Sequence, residues 1–385
     1  MNSDASEQKT APSKKKFQKV IFDKFTQDGF QKDVNERVDR YFDSNNISKT
    51  ANGGMVFKTI WILIGWVATY VLVISGLVSP IGMFLLALGH GFFSAMIGLN
   101  IAHDAIHGSY TKNQKLNERL GLSFNFMGAN DYVWKISHNL VHHTYTNIPD
   151  HDGDIDQPPI LRLQPNQDLW WVHRFQHIYA YFLYSLATVS WVFVKDYVKF
   201  FQHQLGGHYR KTFPRKEIFR LFFYKALYYT VFLVIPIIVI DLPWYWIVFG
   251  FIAGHLLEGF TVAVIFMLAH IIEGTSFPEP KKDGKIGLPW ADLQMYTTAN
   301  FAIKNKLVNY LFGGLNFQIE HHLFPKICHV HYPKIAEIVK ETAKDHDLPY
   351  IEHETFFGAV ASHTRFLKQF GTTPKGVLVP RVANA

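Results

Sequence analysis

Four stretches of the chain abandon the usual mixture of apolar and polar positions. Val56–Leu77 and Ile81–Ala102 are mostly apolar and separated only by "VSP". Each has the roughly 20 residues that a helix needs to cross a bilayer. Leu221–Ile240 and Trp244–His270 repeat the arrangement around "DLP". Such short links leave room only for tight turns, so the pattern predicts two helical hairpins. A fifth stretch, Tyr179–Val194, is apolar and aromatic, but at about 1.5 Å per residue it falls short of the hydrocarbon core. Its flanks, "WWVHRFQH" and "KDYVKFFQHQ", are aromatic and basic. It is expected to lie in the membrane interface, with Trp170 and Trp171 as anchors.

Charge gives these spans a direction. The tight links carry only Asp241, whereas lysines and arginines crowd the N-terminal tail, Lys112–Lys216 and the chain beyond Lys281. The positive-inside rule then puts both termini and the long middle segment in the cytoplasm. The fold expected is an all-α integral membrane protein, with four transmembrane helices under a cytosolic helical cap. Its segments are a tail and interfacial helix at 1–55, a hairpin at 56–102, a cytosolic segment at 103–220, a second hairpin at 221–270 and a cytosolic region at 271–385. Charged residues make up 18% of the chain, below the roughly 25% of soluble domains. The polar start, "MNSDASEQKTAPSKKKFQK", lacks the apolar core of an export signal. The net charge of +7 suits anionic headgroups or the phosphates of an acyl carrier. Nucleic acid is not expected as a partner, because the basic residues are scattered. Cys328 is the only cysteine, which excludes an intramolecular disulfide and a thiolate metal site.

Histidines supply the chemistry. Of the 20 present, His103 and His107 in "HDAIH" follow the second span at a spacing of four, which puts both on one helix face. "HNLVHH" repeats the spacing with His138 and His142, and His143 is adjacent. "QIEHH" places Gln318, His321 and His322 at i, i+3 and i+4, and His270 ends the fourth span. Neighbouring helical residues diverge by about 100°, so His143 is expected to serve a second ion or the far side of the first. Eight histidines plus Gln318 are about twice what one zinc takes. A pair of ions fits the count, and imidazole alone does not choose among iron, zinc, copper and nickel. Haem fits poorly, since it needs single histidines on facing helices.

Together and in this order, "HDAIH", "HNLVHH" and "QIEHH" resemble the three histidine boxes of the membrane fatty acid desaturases. The Gln318 form of the third box resembles the front-end branch, as does "TYTNIPDHDGDID" after box two; the likeness spans most of residues 20–350. The resemblance implies a non-haem di-iron centre that uses O2 to remove two hydrogens from an acyl chain carried on CoA or on a lipid. It assigns the irons to His103, His107, His138, His142, His143, His321 and His322, with His270 as the extra histidine. Gln318 stands where other branches have histidine and is expected to meet iron directly or through water. Many front-end members carry a fused cytochrome b5 domain with an "HPGG" motif. That motif is absent here, so a separate donor is expected, either ferredoxin or cytochrome b5.

Residues around the boxes complete the expectation. Asp104 and Glu320 lie inside boxes and are placed to accept hydrogen bonds from ligand N–H groups. The run "DHDGDID" looks like a calcium loop but fails the pattern, with glycine at its fourth position and Leu161 in place of the closing glutamate. Its aspartates, Asp150, Asp152, Asp154 and Asp156, are expected to support the site or a headgroup, with Asp154 and Asp156 as the candidates beside the ligands. His255 and Glu258, ionisable inside the fourth span, are expected to line the acyl tunnel or to support the site. His151 is read as a loop residue. His90, His173, His177, His203, His208, His329, His331, His346, His353 and His363 are read as surface or structural. Two alternatives stand beside desaturation: a hydroxylase with the same centre, and a metal transporter, which would want its ligands near the bilayer midplane.

Overall fold

A computed structural model describes residues 18–24, 29–157, 159–206 and 208–376; the polar tail at residues 1–17 lies outside them. Four helices are long and apolar enough to cross a membrane: Gly53–Ile74, Pro80–His107, Arg215–Val239 and Trp244–His270. Asn52 caps the first, its side chain accepting from the Met55 N–H at 3.0 Å. Ser79 caps the second in the same way, with Pro80 in the first turn, where its missing N–H costs nothing. Only 22% of the apolar window of the first and third spans is buried inside the protein, against 44% for the fourth. Side chains such as Phe57, Ile64, Ile81, Phe219 and Trp246 therefore form an exposed apolar belt, which lipid would cover.

The fourth span is the central helix. It crosses the second where Gly91 meets Gly254 so closely that a β-carbon on Gly91 would collide with the Gly254 carbonyl. Small residues at a crossing let backbones approach and gain packing in a bilayer. Its other side packs on two helical arms, Trp171–Ser185 and Ala187–Phe201, bent by 55° at the break between them. These arms contain the stretch expected in the interface. They pass the length and apolarity test only when taken together.

The cap is built around short helices. Val34, Val38 and Phe42 of the helix Phe30–Ser44 pack with Tyr332, Ile335 and Val339 of Tyr332–Asp345. Arg37 braces that pair through Asp33 and Asp345, each at 2.8 Å. The helix Gln318–Leu323, which carries box three, lies against Tyr332–Asp345, and the C-terminal helix Phe356–Thr372 folds back onto the first arm of the bent pair. A two-residue parallel ladder, Asn300–Phe301 with Glu352–His353, ties the two ends of the cap together.

Candidate metal centre

The second span does not stop at Ala102 but runs on to His107 and ends at Gly108, whose φ of 77° reverses the chain. Just before box one its winding loosens: the His103 N–H bonds the carbonyl of Gly98, five residues back. Box two is wound the same way, with the His143 N–H on the His138 carbonyl. Such wide turns recur at functional sites. Here the effect is specific, because a wider turn lets residues five apart face together. His143 Nε2 lies 3.2 Å from His138 Nε2, whereas ordinary α-helical geometry would have turned the two apart.

The eight histidines converge in two groups. Ligand atoms of His103, His107, His138 and His321 lie within 4.8 Å of one another, as do those of His142, His270 and His322. Between them sits His143, its ring 4.6 Å from His321 and 4.4 Å from His322. His142 Nε2 and His270 Nε2 are 3.3 Å apart. Two imidazole nitrogens bound at about 2.1 Å to one ion would sit about 3.0–3.4 Å apart, so these separations suit a shared ion.

Hydrogen bonding shows which nitrogen is available. On the outer side, His142 Nδ1 lies 3.0 Å from Asp152, His322 Nδ1 2.9 Å from Gln294 Oε1, His270 Nδ1 3.3 Å from the Thr297 carbonyl and His321 Nδ1 3.3 Å from the Tyr332 hydroxyl. A donated Nδ1–H leaves the lone pair on Nε2, facing inward. The Nε2 atoms of His103, His107, His321 and His322 are buried with no partner, a cost of about 1–3 kcal/mol each if nothing binds them. Burial holds His143, His321 and His322 well below the ordinary histidine range and His138 at about 3. His142 alone is raised: burial opposes its charge, but Asp152 and Asp154 outweigh burial. Buried, neutral imidazoles with unpartnered nitrogens fit metal ions.

Comparison with known proteins bears on what such a site does. Residues 77–354 match the family described as fatty acid desaturase. The chain belongs to that family. It is 38% identical to the sn-1 linoleoyl-lipid 6-desaturase of Arthrospira platensis over 93% of this chain and 96% of the relative. The corresponding enzyme of Synechocystis is 34% identical, over 90% and 97%. The acyl-lipid (8-3)-desaturase of Physcomitrium patens is 35% identical, over 88% and 71%. The protein is thus a membrane enzyme that desaturates a fatty acyl chain, which is favoured over the hydroxylase and transporter alternatives.

Other expected residues of the desaturase fall in several places. Gln318 is buried at the start of the box-three helix, its Nε2 donating to the Leu315 carbonyl at 2.8 Å and its Oε1 unpartnered. Asp154 lies 3.8 Å from His138 Nδ1 and 3.9 Å from His142 Nδ1, and Asp156 is exposed. Asp104 is 3.6 Å from His103 Nδ1 but binds His329 Nδ1 at 2.7 Å, and Lys58 Nζ meets the other nitrogen of His329 at 2.9 Å. Glu320 turns away from the ligands, accepting from Asn300 Nδ2 at 2.8 Å and from the Tyr350 hydroxyl at 2.9 Å. Burial pushes its carboxyl up to about 7. Asp152, one of the four aspartates of the acidic run, holds His142 and also accepts the backbone N–H groups of Asn147 and Asp154, each at 2.9 Å.

Two cavities lie near these groups. One of about 300 Å³ is walled by His138, His142 and His270, with apolar sides that include Trp134, Val262 and Phe266. That is a usual size and character for a small-molecule site. The other, about 520 Å³, lies between the spans and is lined by His255 and Glu258. None of the eight clustered histidines lines it.

Proposed function

We propose that this desaturase holds two iron ions and uses O2 to introduce a double bond into a lipid-linked fatty acyl chain. The reading is carried by one observation: the unpartnered Nε2 atoms of His103, His107, His321 and His322 belong to the same histidine cluster as His138, His142 and His270, which wall an apolar cavity. His103, His107, His138 and His321 would hold one ion, and His142, His270 and His322 the other. His143 stands between the groups, and the Gln318 amide oxygen is available directly or through a water. Iron is preferred because the family resemblance implies it, and the lipid carrier follows the names of the relatives.

When bound, the irons supply the O2-derived oxidising power that an unactivated methylene requires. The chain's own groups do the rest. Val262 and Phe266 hold the acyl chain against the histidines and keep water away, so that one methylene is presented in a fixed orientation. Asp152 keeps His142 in the tautomer that points Nε2 inward.

The distribution of lysines and arginines supports placing the termini and histidines on the cytoplasmic side. Electrons would arrive there from a separate ferredoxin or cytochrome b5. A basic face suits an acidic donor, so raising the salt concentration should slow donor-dependent turnover; salt-insensitive rates would contradict that docking.

The test is the fatty-acid profile, by gas chromatography and mass spectrometry, of cells that express the intact protein together with a donor, beside a His142→Ala control. A new double bond confined to the intact protein is expected. A hydroxylated chain in its place would overturn the reading.

A further inference from the structure

The wall of the 300 Å³ cavity changes character along one helix. Leu186, Ala187 and Trp191 present an apolar surface, and further along the same arm come Lys195, Asp196 and Lys199. A local widening of the turn over Trp191–Lys195 helps keep this sequence of side chains on the cavity. The cavity therefore has a greasy end and a charged end, and the histidines lie beside both.

The charges at that end do not cancel. Lys225 lies 2.8 Å from Asp196 and also donates to the carbonyls of Gly128 and Trp191, each at 2.7 Å, so Asp196 is taken. Lys199 faces Asp154 at 3.7 Å. Asp152 is committed to His142. Among the described residues no carboxylate comes within ion-pair distance of Lys195, which is half-buried on the cavity wall; its neighbours Asp154 and Asp196 are engaged by Lys199 and Lys225. A half-buried ammonium whose neighbouring carboxylates are already engaged by other lysines can take a further anion.

We propose that Lys195, supported by Lys199, receives the phosphate of the carrier attached to the acyl substrate, with a phospholipid headgroup as the favoured source and CoA as the other. The carrier then anchors at the charged end while the acyl chain runs along the apolar wall past the histidines. Which methylene meets the metal is set by its distance from that anchor. Asp154 marks how short the distance is, since it contacts Lys199 on one side and His138 on the other. The inference rests on the acyl-carrier substrate proposed above.

Equilibrium binding to the purified, metal-loaded protein in detergent tests it without turnover. The probes are dilinoleoyl phosphatidylglycerol, the neutral dilinoleoyl monogalactosyl glycerol and linoleoyl-CoA. Wild type should bind a phosphate-bearing probe about tenfold more tightly than the galactolipid, the worth of one charge-assisted contact. Lys195→Met should erase the preference and Lys195→Arg should keep it. Tightest binding of phosphatidylglycerol supports a lipid carrier. Tightest binding of linoleoyl-CoA keeps the phosphate site but moves the substrate to CoA, which separates the two proposals. Equal binding of the galactolipid by wild type, or a preference that survives Lys195→Met, overturns the inference. Should Lys195→Met fail to fold, the wild-type comparison still decides whether phosphate is recognised.

Discussion

Both cavities of this desaturase are lined by buried histidine, and the larger one is not where the histidines converge. In the 520 Å³ cavity, His255 is fully occupied: its Nε2 meets the Tyr228 hydroxyl at 2.7 Å, and its Nδ1 lies 3.1 Å from Thr188 and 3.3 Å from Glu258. The smaller cavity is walled by His138, His142 and His270, whose Nε2 atoms meet only other imidazoles of the cluster, and in that cluster the Nε2 atoms of His103, His107, His321 and His322 have no partner. The difference separates a histidine that holds helices together from histidines arranged to receive something. Size and residue type do not separate the two sites, but unpartnered imidazole nitrogens do.

The contrast predicts unequal responses to the same kind of substitution. His270→Ala or His321→Ala should remove a ligand, lower the bound metal and abolish product, measured by elemental analysis and lipid profiling. His255→Gln, by contrast, should keep both metal and product. Its cost should be about 1–3 kcal/mol of stability, the worth of disturbed buried hydrogen bonds, read from thermal unfolding in detergent. Loss of metal in His255→Gln would erase the distinction.

Asp152→Asn sharpens the comparison from outside the ligand set. It keeps the shape but removes the charge behind His142, so metal affinity should fall about 10- to 100-fold, read by competition with a chelator. The same substitution at Asp156, which is exposed, should leave affinity unchanged.

Glu320 predicts a pH effect. Its carboxyl is raised from 4.5 to about 7 because burial disfavours the charged form. Its contribution to stability is therefore complete below pH 4.5 and is lost as pH rises through about 7, a change of about 3 kcal/mol if the group stays buried. Glu320→Gln should flatten that part of the stability profile; an unchanged slope would show that Glu320 is not its source. The smallest effect is expected at Glu258, which lines only the larger cavity. Glu258→Gln should leave the position of the new double bond unaltered, and a shifted bond would join the larger cavity to the acyl path.

Much of this arrangement was legible in the sequence because it depends on local period. Spans declare themselves by length and apolarity, and the box histidines by spacings that survive any helical winding. What depended on the third dimension was not legible. His143 joins His138 only because the helix widens between them. Asp152 reaches His142 through a loop in which Asn147 and Asp150 adopt φ of 56° and 64°, so its role could not be told from that of Asp156. His329, 3% exposed, draws Asp104 toward Lys58 across more than two hundred residues of chain. Glu320 is drawn from the ligands by Asn300 and Tyr350, and neither is near it in sequence.

The most direct test of the account is the number and kind of metal ions in the purified protein. Elemental analysis should find two irons per chain, falling below two in His270→Ala and staying at two in His255→Gln. One ion per chain in the intact protein, or a metal other than iron at full activity, would contradict it.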